Sequence, residues 1–213
     1  MTDTTMAYPG SDPHQLTVVA VAHSGPASKR IVTAYGFWIF ILSDMVMFSA
    51  FFATYAVLLG QTAGGPTGHD LFDLRNVAIE TGFLLASSFT CGLASIAADS
   101  RRTIWFQLAM AVTCAFGLGF LAIEGNEFAS LVARGAGPTR SAFLSAFFTL
   151  VGTHGLHVSA GILWLLTMMA QVFAKGFRAD IQRRILCFAL FWHALDIIWI
   201  AVFTVVYLLG SAK

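Results

Sequence analysis

Five long apolar stretches, at residues 35–59, 77–98, 104–123, 141–172 and 185–209, alternate along the chain with short polar or turn-rich segments. A helix rising 1.5 Å per residue needs about 20 residues to cross a hydrocarbon core of about 30 Å. Each stretch is long enough, and none shows the strict apolar/polar alternation of a membrane barrel strand. The pattern therefore predicts an all-α membrane bundle of five helices, because every backbone polar group in lipid must be satisfied internally. Only residues 99–103 part the second and third spans, which predicts a tight helical hairpin. The fourth span is the longest, so it tilts or extends beyond the hydrocarbon. Residues 1–30 are polar, contain Pro and Gly, and carry no secretory signal pattern, and they read as a flexible soluble tail ahead of one membrane domain over 31–213.

Composition agrees with this pattern. The chain has 213 residues, 57% of them hydrophobic and 11% charged, with a mean hydropathy of +0.76. A water-soluble domain of this size carries far more surface charge. The net charge of +1 comes with no basic cluster, which argues against nucleic acid as a partner. Lysine and arginine placement orients the bundle. Eight of the twelve (Lys29, Arg30, Arg101, Arg102, Lys175, Arg178, Arg183 and Arg184) fall on one side, and Arg75, Arg134, Arg140 and Lys213 fall on the other. The positive-inside rule then predicts a cytoplasmic N-terminus and a periplasmic C-terminus. Tyr35, Trp38, Trp105 and Tyr207 near span ends fit interfacial anchoring. Cys91, Cys114 and Cys187 stand singly in apolar runs and read as packing residues.

Ionisable groups inside the spans are the candidate chemistry, since they are costly in a membrane and mark function by default. They are Asp44, Glu80, His154, His157, His193 and Asp196. Counting the helical rise puts Asp44, His193 and Asp196 roughly 12–17 Å in from one side, and His154 and His157 roughly 20–24 Å in from the other. These depths describe one polar layer, with Glu80 nearer the outer surface. His154 and His157, like His193 and Asp196, are spaced i, i+3 and share a helix face. Gly152, Gly155 and Ser159 beside the first pair are small enough to admit a neighbouring helix. Glu124 and Glu127 end the third span, where they are solvated or pair with Arg134 or Arg140.

Three readings of the polar layer follow from the residues. The groups hydrogen-bond between helices or touch lipid headgroups; or His154 and His193 are axial ligands of a haem, as in the membrane anchor of a respiratory dehydrogenase; or the layer is a proton or ion path of a transporter. The sequence holds no Ser–His–Asp arrangement, phosphate loop or activated thiol, and so no self-contained active site.

Five blocks carry a family resemblance: YGFWIFILSDMVMFSAFFATYAVLL (35–59), GGPTGHDLF (64–72), ETGFLLASSFTCGLA (80–94), EFASLVARGAGPTRSAFLSAFFTLVGTHGLHVSAGILW (127–164) and ALFWHALDIIWIAVFTVVYLLG (189–210). In this order they resemble subunit III of the haem–copper respiratory oxidases, most closely the bacterial bo-type ubiquinol oxidases. The resemblance implies a non-catalytic subunit of a proton-pumping terminal oxidase in a bacterial inner membrane, with subunits I, II and IV as partners, alongside phospholipid. It implies no cofactor in this chain; haem b, a second haem and copper belong to subunit I, and ubiquinone to the complex. A cytochrome c oxidase subunit III is the alternative within the family. The motif THGLHV matches His154 and His157 to the family's histidine pair. Trp192, His193, Asp196 and Trp199 match its W-H-x-x-D-x-x-W pattern, and Asp44 matches an acidic position often held by Glu. The resemblance associates these groups with helix packing, bound phospholipid and the flank of subunit I.

Overall fold

The computed structural model describes residues 29–64 and 74–211. The predicted tail lies outside the described residues except for Lys29 and Arg30, as does most of the GGPTGHDLF block. The described chain is all helical: α1 (Lys29–Leu58), α2 (Leu74–Asp99), α3 (Thr103–Ala133), α4 (Ala142–Lys175) and α5 (Ala179–Val202). A π-helical segment, Phe203–Leu208, continues α5 and ends in a last helical turn, Leu209–Ser211. Five helices are long and apolar enough to span a membrane, counting α5 and the π segment together as Ala179–Leu208.

The helix ends follow from local chemistry. Ser141 caps α4 by accepting a hydrogen bond from the Leu144 N–H at 3.2 Å. At the end of α3, Gly135 takes a left-handed conformation (φ 75°), and the Ala136 and Gly135 N–H groups bond back to the Leu131 and Val132 carbonyls. The α2 terminus closes the same way, with Arg102 to Ala97 O and Arg101 to Ala98 O. There the left-handed residue is Arg101 (φ 53°), where glycine would be unstrained.

α2 and α3 form the predicted hairpin, with the most extensive contact in the molecule. α5 packs on α1, α2 and α4, and α4 packs on α1, α3 and α5. Helix α5 is consequently the centre of the bundle: 67% of its most apolar window is buried, against 11% for α1. Trp192 of α5 is the central knob. Its ring edge lies against Gly117 of α3 and Gly161 of α4, where an added Cβ would fall 3.1 and 2.9 Å from the indole. The two glycines let three helices close on one indole. Gly152 and Gly155, expected to mark the close approach, would accept a Cβ at ordinary distances of 3.5 and 4.0 Å.

Two sequence expectations, on Glu124 and Tyr207, are corrected. α3 runs ten residues past the predicted 104–123 span, so Glu124 lies within the helix and is 4% exposed instead of solvated at its end. Tyr207 is 0% exposed and belongs to the core, not to an interfacial belt. Ser159 donates to Gly155 O within its own helix at 2.8 Å, a local bond that joins no second helix. The three cysteines are free and buried, as packing residues should be.

Candidate functional site

The polar groups of α5 face α2 in antiparallel register. Trp192 and Trp199 are seven residues apart, two turns, and so point the same way. On α2, Thr81, Ser87 and Ser88 present hydroxyls at matching heights. The Trp199 Nε1–H donates to Thr81 Oγ1 at 3.0 Å, and the Trp192 Nε1–H donates to Ser87 Oγ at 3.0 Å. His193 Nδ1 lies 2.7 Å from Ser88 Oγ, and Asp196, one turn further along α5, is buried. Two further bonds tie the same helix elsewhere. The Leu195 carbonyl accepts from His154 Nε2 of α4 at 3.2 Å, and the Val206 carbonyl accepts from the Tyr55 hydroxyl of α1 at 3.3 Å.

Interhelical hydrogen bonds of this kind contribute about 0.6 kcal/mol each in membranes, so five are on the order of 3 kcal/mol. The indoles add more through packing. Thr81, Ser87 and Ser88 have no place among the expected site residues. Their signal in the sequence is faint: hydroxyls about two turns apart in ETGFLLASSFT, matching the tryptophan spacing of FWHALDIIW.

His154 and His157 diverge in surroundings. The His154 ring is fully buried, with Trp199, Phe120 and Phe48 at ring-centroid distances of 5.1, 5.7 and 6.5 Å. His157 turns toward α1. Its Nδ1–H donates to Thr153 O at 2.8 Å, which leaves Nε2 toward Asp44, 3.9 Å from Oδ2. Because Nδ1 must carry hydrogen there, the second nitrogen attracts a carboxylate only when a proton lies between them. The contact is longer than a hydrogen bond and both side chains are partly exposed, so it adds little to stability.

The predicted layer therefore resolves into linked pieces. Asp44 meets His157, His154 reaches the backbone beside Asp196, and His193 meets Ser88 of α2. Glu80 stands apart. It interacts electrostatically with Glu127 and Glu124 of α3, and the Tyr207 phenol lies among the same carboxyls. Glu80 and Glu124 are buried, and their carboxyl oxygens have no hydrogen-bond partner among the described residues. Phe120 and Trp199, stacked edge to face at 4.6 Å, touch His154 on one side, and Trp199 reaches Tyr207 on the other.

This geometry bears on the haem reading. Aromatic rings cage His154 and its Nε2 is engaged with Leu195, while His193 Nδ1 meets Ser88 of α2. Among the described residues, no three His, Cys, Asp or Glu side chains form a metal-binding group.

Comparison with known proteins gives the chain a family. The family described as cytochrome c oxidase subunit III matches residues 17–211. The cytochrome bo(3) ubiquinol oxidase subunit 3 of Pseudomonas aeruginosa is 53% identical over 179 residues, covering 84% of this chain and 86% of that protein. The quinol oxidase subunit 3 of Bacillus subtilis is 43% identical over 82% of this chain and 86% of its own length. The cytochrome c oxidase subunit 3 of a Bacillus species is 41% identical over 82% and 84%. With the family matched from before the first span to the last helical turn, and relatives 41–53% identical over most of both chains, the chain belongs to the cytochrome c oxidase subunit III family.

Proposed function

We propose that this chain is the non-catalytic third subunit of a quinol-oxidising, oxygen-reducing terminal oxidase in a bacterial inner membrane. The observation that carries this reading is the 53% identity to a ubiquinol oxidase subunit 3 across most of both chains. The side-chain geometry is in keeping with it, since His154 Nε2 meets the Leu195 carbonyl and His193 Nδ1 meets Ser88, both contacts between helices. In this reading the haem b, the second haem and the copper belong to subunit I, and quinol reacts in the larger complex. This chain braces subunit I together with subunits II and IV, holds phospholipid against it, and keeps proton uptake competent over many turnovers. Its N-terminus is cytoplasmic, following the positive charge at that end of the bundle.

A cytochrome c oxidase subunit III is the second reading, favoured by the 41% identity to the Bacillus protein of that name. Purification through a tag on this chain tests both. The expected product is a complex whose larger subunits contain two haems and copper and which oxidises quinol. Oxidation of cytochrome c instead would favour the second reading. A Soret band travelling with this chain alone would contradict both.

A further inference from the structure

The function above makes no use of Glu80 and Glu124. Glu80 stands about 9 Å inside the start of α2 and Glu124 about 14 Å inside the end of α3, at 1.5 Å per residue. The hairpin brings these two ends to one side of the bundle, the outer side in the orientation proposed above. Glu80 is 0% and Glu124 4% exposed, and neither carboxyl has a hydrogen-bond partner among the described residues. The two interact electrostatically, and Glu127, partly buried, follows one turn beyond Glu124 toward the outer end. Two carboxyls in so dry a place cannot both stay charged unless something positive stands between them.

The backbone is irregular at the same place. The π-helical segment Phe203–Leu208, a rare form that recurs at functional sites, carries Tyr207 into the core among these carboxyls. Tyr55 of α1 interacts electrostatically with Tyr207, and its hydroxyl donates to the carbonyl of Val206. From α4, the Phe147 ring meets Tyr207 edge to face at 6.1 Å, and His154 lies on the far side of Trp199. Arg75 is exposed in the first turn of α2. At this end the hairpin also carries a cleft of about 400 Å³, lined by the amides of Asn76 and Asn126 with Ile79 and Ile123, the residues that precede Glu80 and Glu124. The cleft gives the buried pair a polar mouth beside it.

We propose that Glu80 and Glu124 form a proton-binding site, which holds one proton between the two carboxyls and exchanges it with the outer aqueous phase by way of Glu127. A proton suits the site better than a metal cation, since among the described residues no three His, Cys, Asp or Glu side chains form a metal-binding group. The step is proton transfer alone: a proton from water adds to one carboxylate oxygen, the new O–H donates to the other carboxylate, and nothing is oxidised or reduced. With the proton bound, α2, α3 and the π segment close on a single negative charge. Without it, two like charges push α2 from α3. The folded subunit therefore holds a proton that the unfolded chain gives up at neutral pH, and its place in the complex weakens as pH rises. The proposal rests on the membrane-subunit reading above for which side is outer, but not for the pair itself.

Release of this subunit from the detergent-purified complex, followed from mildly acidic to mildly alkaline pH, tests it. The wild-type dissociation constant is expected to rise up to about tenfold more per pH unit than that of Glu80→Gln or Glu124→Gln, tenfold being the limit for one proton. The double variant should match the single ones, because the pair holds one proton. Equal slopes in the wild type and Glu80→Gln would overturn the proposal, and a wild-type slope abolished by sodium would overturn it in favour of a metal cation. Infrared spectra read the proton independently of stability. The wild-type complex is expected to show a protonated-carboxyl stretch, shifted in D2O, that is missing from Glu80→Gln; the same band at full strength in the variant would overturn the proposal, whether or not Glu124→Gln assembles. A chain isolated without oxidase subunits would refute the proposed function, while its infrared band would still report on the carboxyl pair.

Discussion

Two buried polar regions share this bundle and are built on opposite terms. Along α5, Trp192, His193 and Trp199 each meet a hydroxyl of α2, and the Leu195 carbonyl meets His154. Beyond the Phe120–Trp199 pair, Glu80 and Glu124 are as deeply buried, yet their oxygens bond to nothing among the described residues. The difference teaches that burial of a polar side chain says little by itself. A partnered group fixes two helices in register, and its loss leaves the partner unsatisfied; an unpartnered group already bears its desolvation cost, so its removal is cheap.

Substitutions can break or sharpen that contrast. The largest effect is expected from Trp192→Ala, which empties the joint between Gly117, Gly161 and Ser87. Cavity formation at a buried aromatic costs about 3–5 kcal/mol, enough to lower the thermal midpoint of the complex and release this subunit during purification. His154→Ala removes one interhelical bond and a ring packed among three aromatics. A loss of about 1–2 kcal/mol in a denaturant titration is expected, with faster inactivation during turnover. Asp44→Asn weakens only the long, partly exposed contact to His157, and a change of under about 1 kcal/mol in the same titration is expected. Glu80→Gln should be smallest, at or slightly above wild-type stability in that titration, because no hydrogen bond is lost. If Glu80→Gln destabilised the subunit as much as His154→Ala, the contrast would fail.

The sequence made the architecture readable because length and apolarity alone determine which helices cross a membrane. The α2–α3 hairpin follows from the short gap at 99–103, and the common height of the polar groups puts Asp44 level with His157, where the structure joins them. Depth counting along a helix axis placed the polar groups at a common height but could not say which way each one turns around that axis. It left open whether His154 and His193 meet, whereas the structure sends His154 to the Leu195 carbonyl and His193 to Ser88. Glu124 differs from its expected place for a related reason. The polar string EGNEF resembles a helix end, but tertiary packing carries α3 on to Ala133 and buries the carboxyl. Tyr207 stood near a span end, and its position inside the core depends on the π-helical segment, which a hydropathy pattern does not encode.

The central claim is that the buried histidines and indoles hold helices together while the redox chemistry resides in partner subunits. It is tested most directly by the haem absorption spectrum of the assembled oxidase carrying His154→Ala, recorded with the amount of this subunit retained. The account predicts unchanged haem content and initial quinol-oxidation rate per assembled complex, with weaker subunit retention and earlier loss of activity. Loss of a haem band from a complex that keeps all its subunits would contradict it.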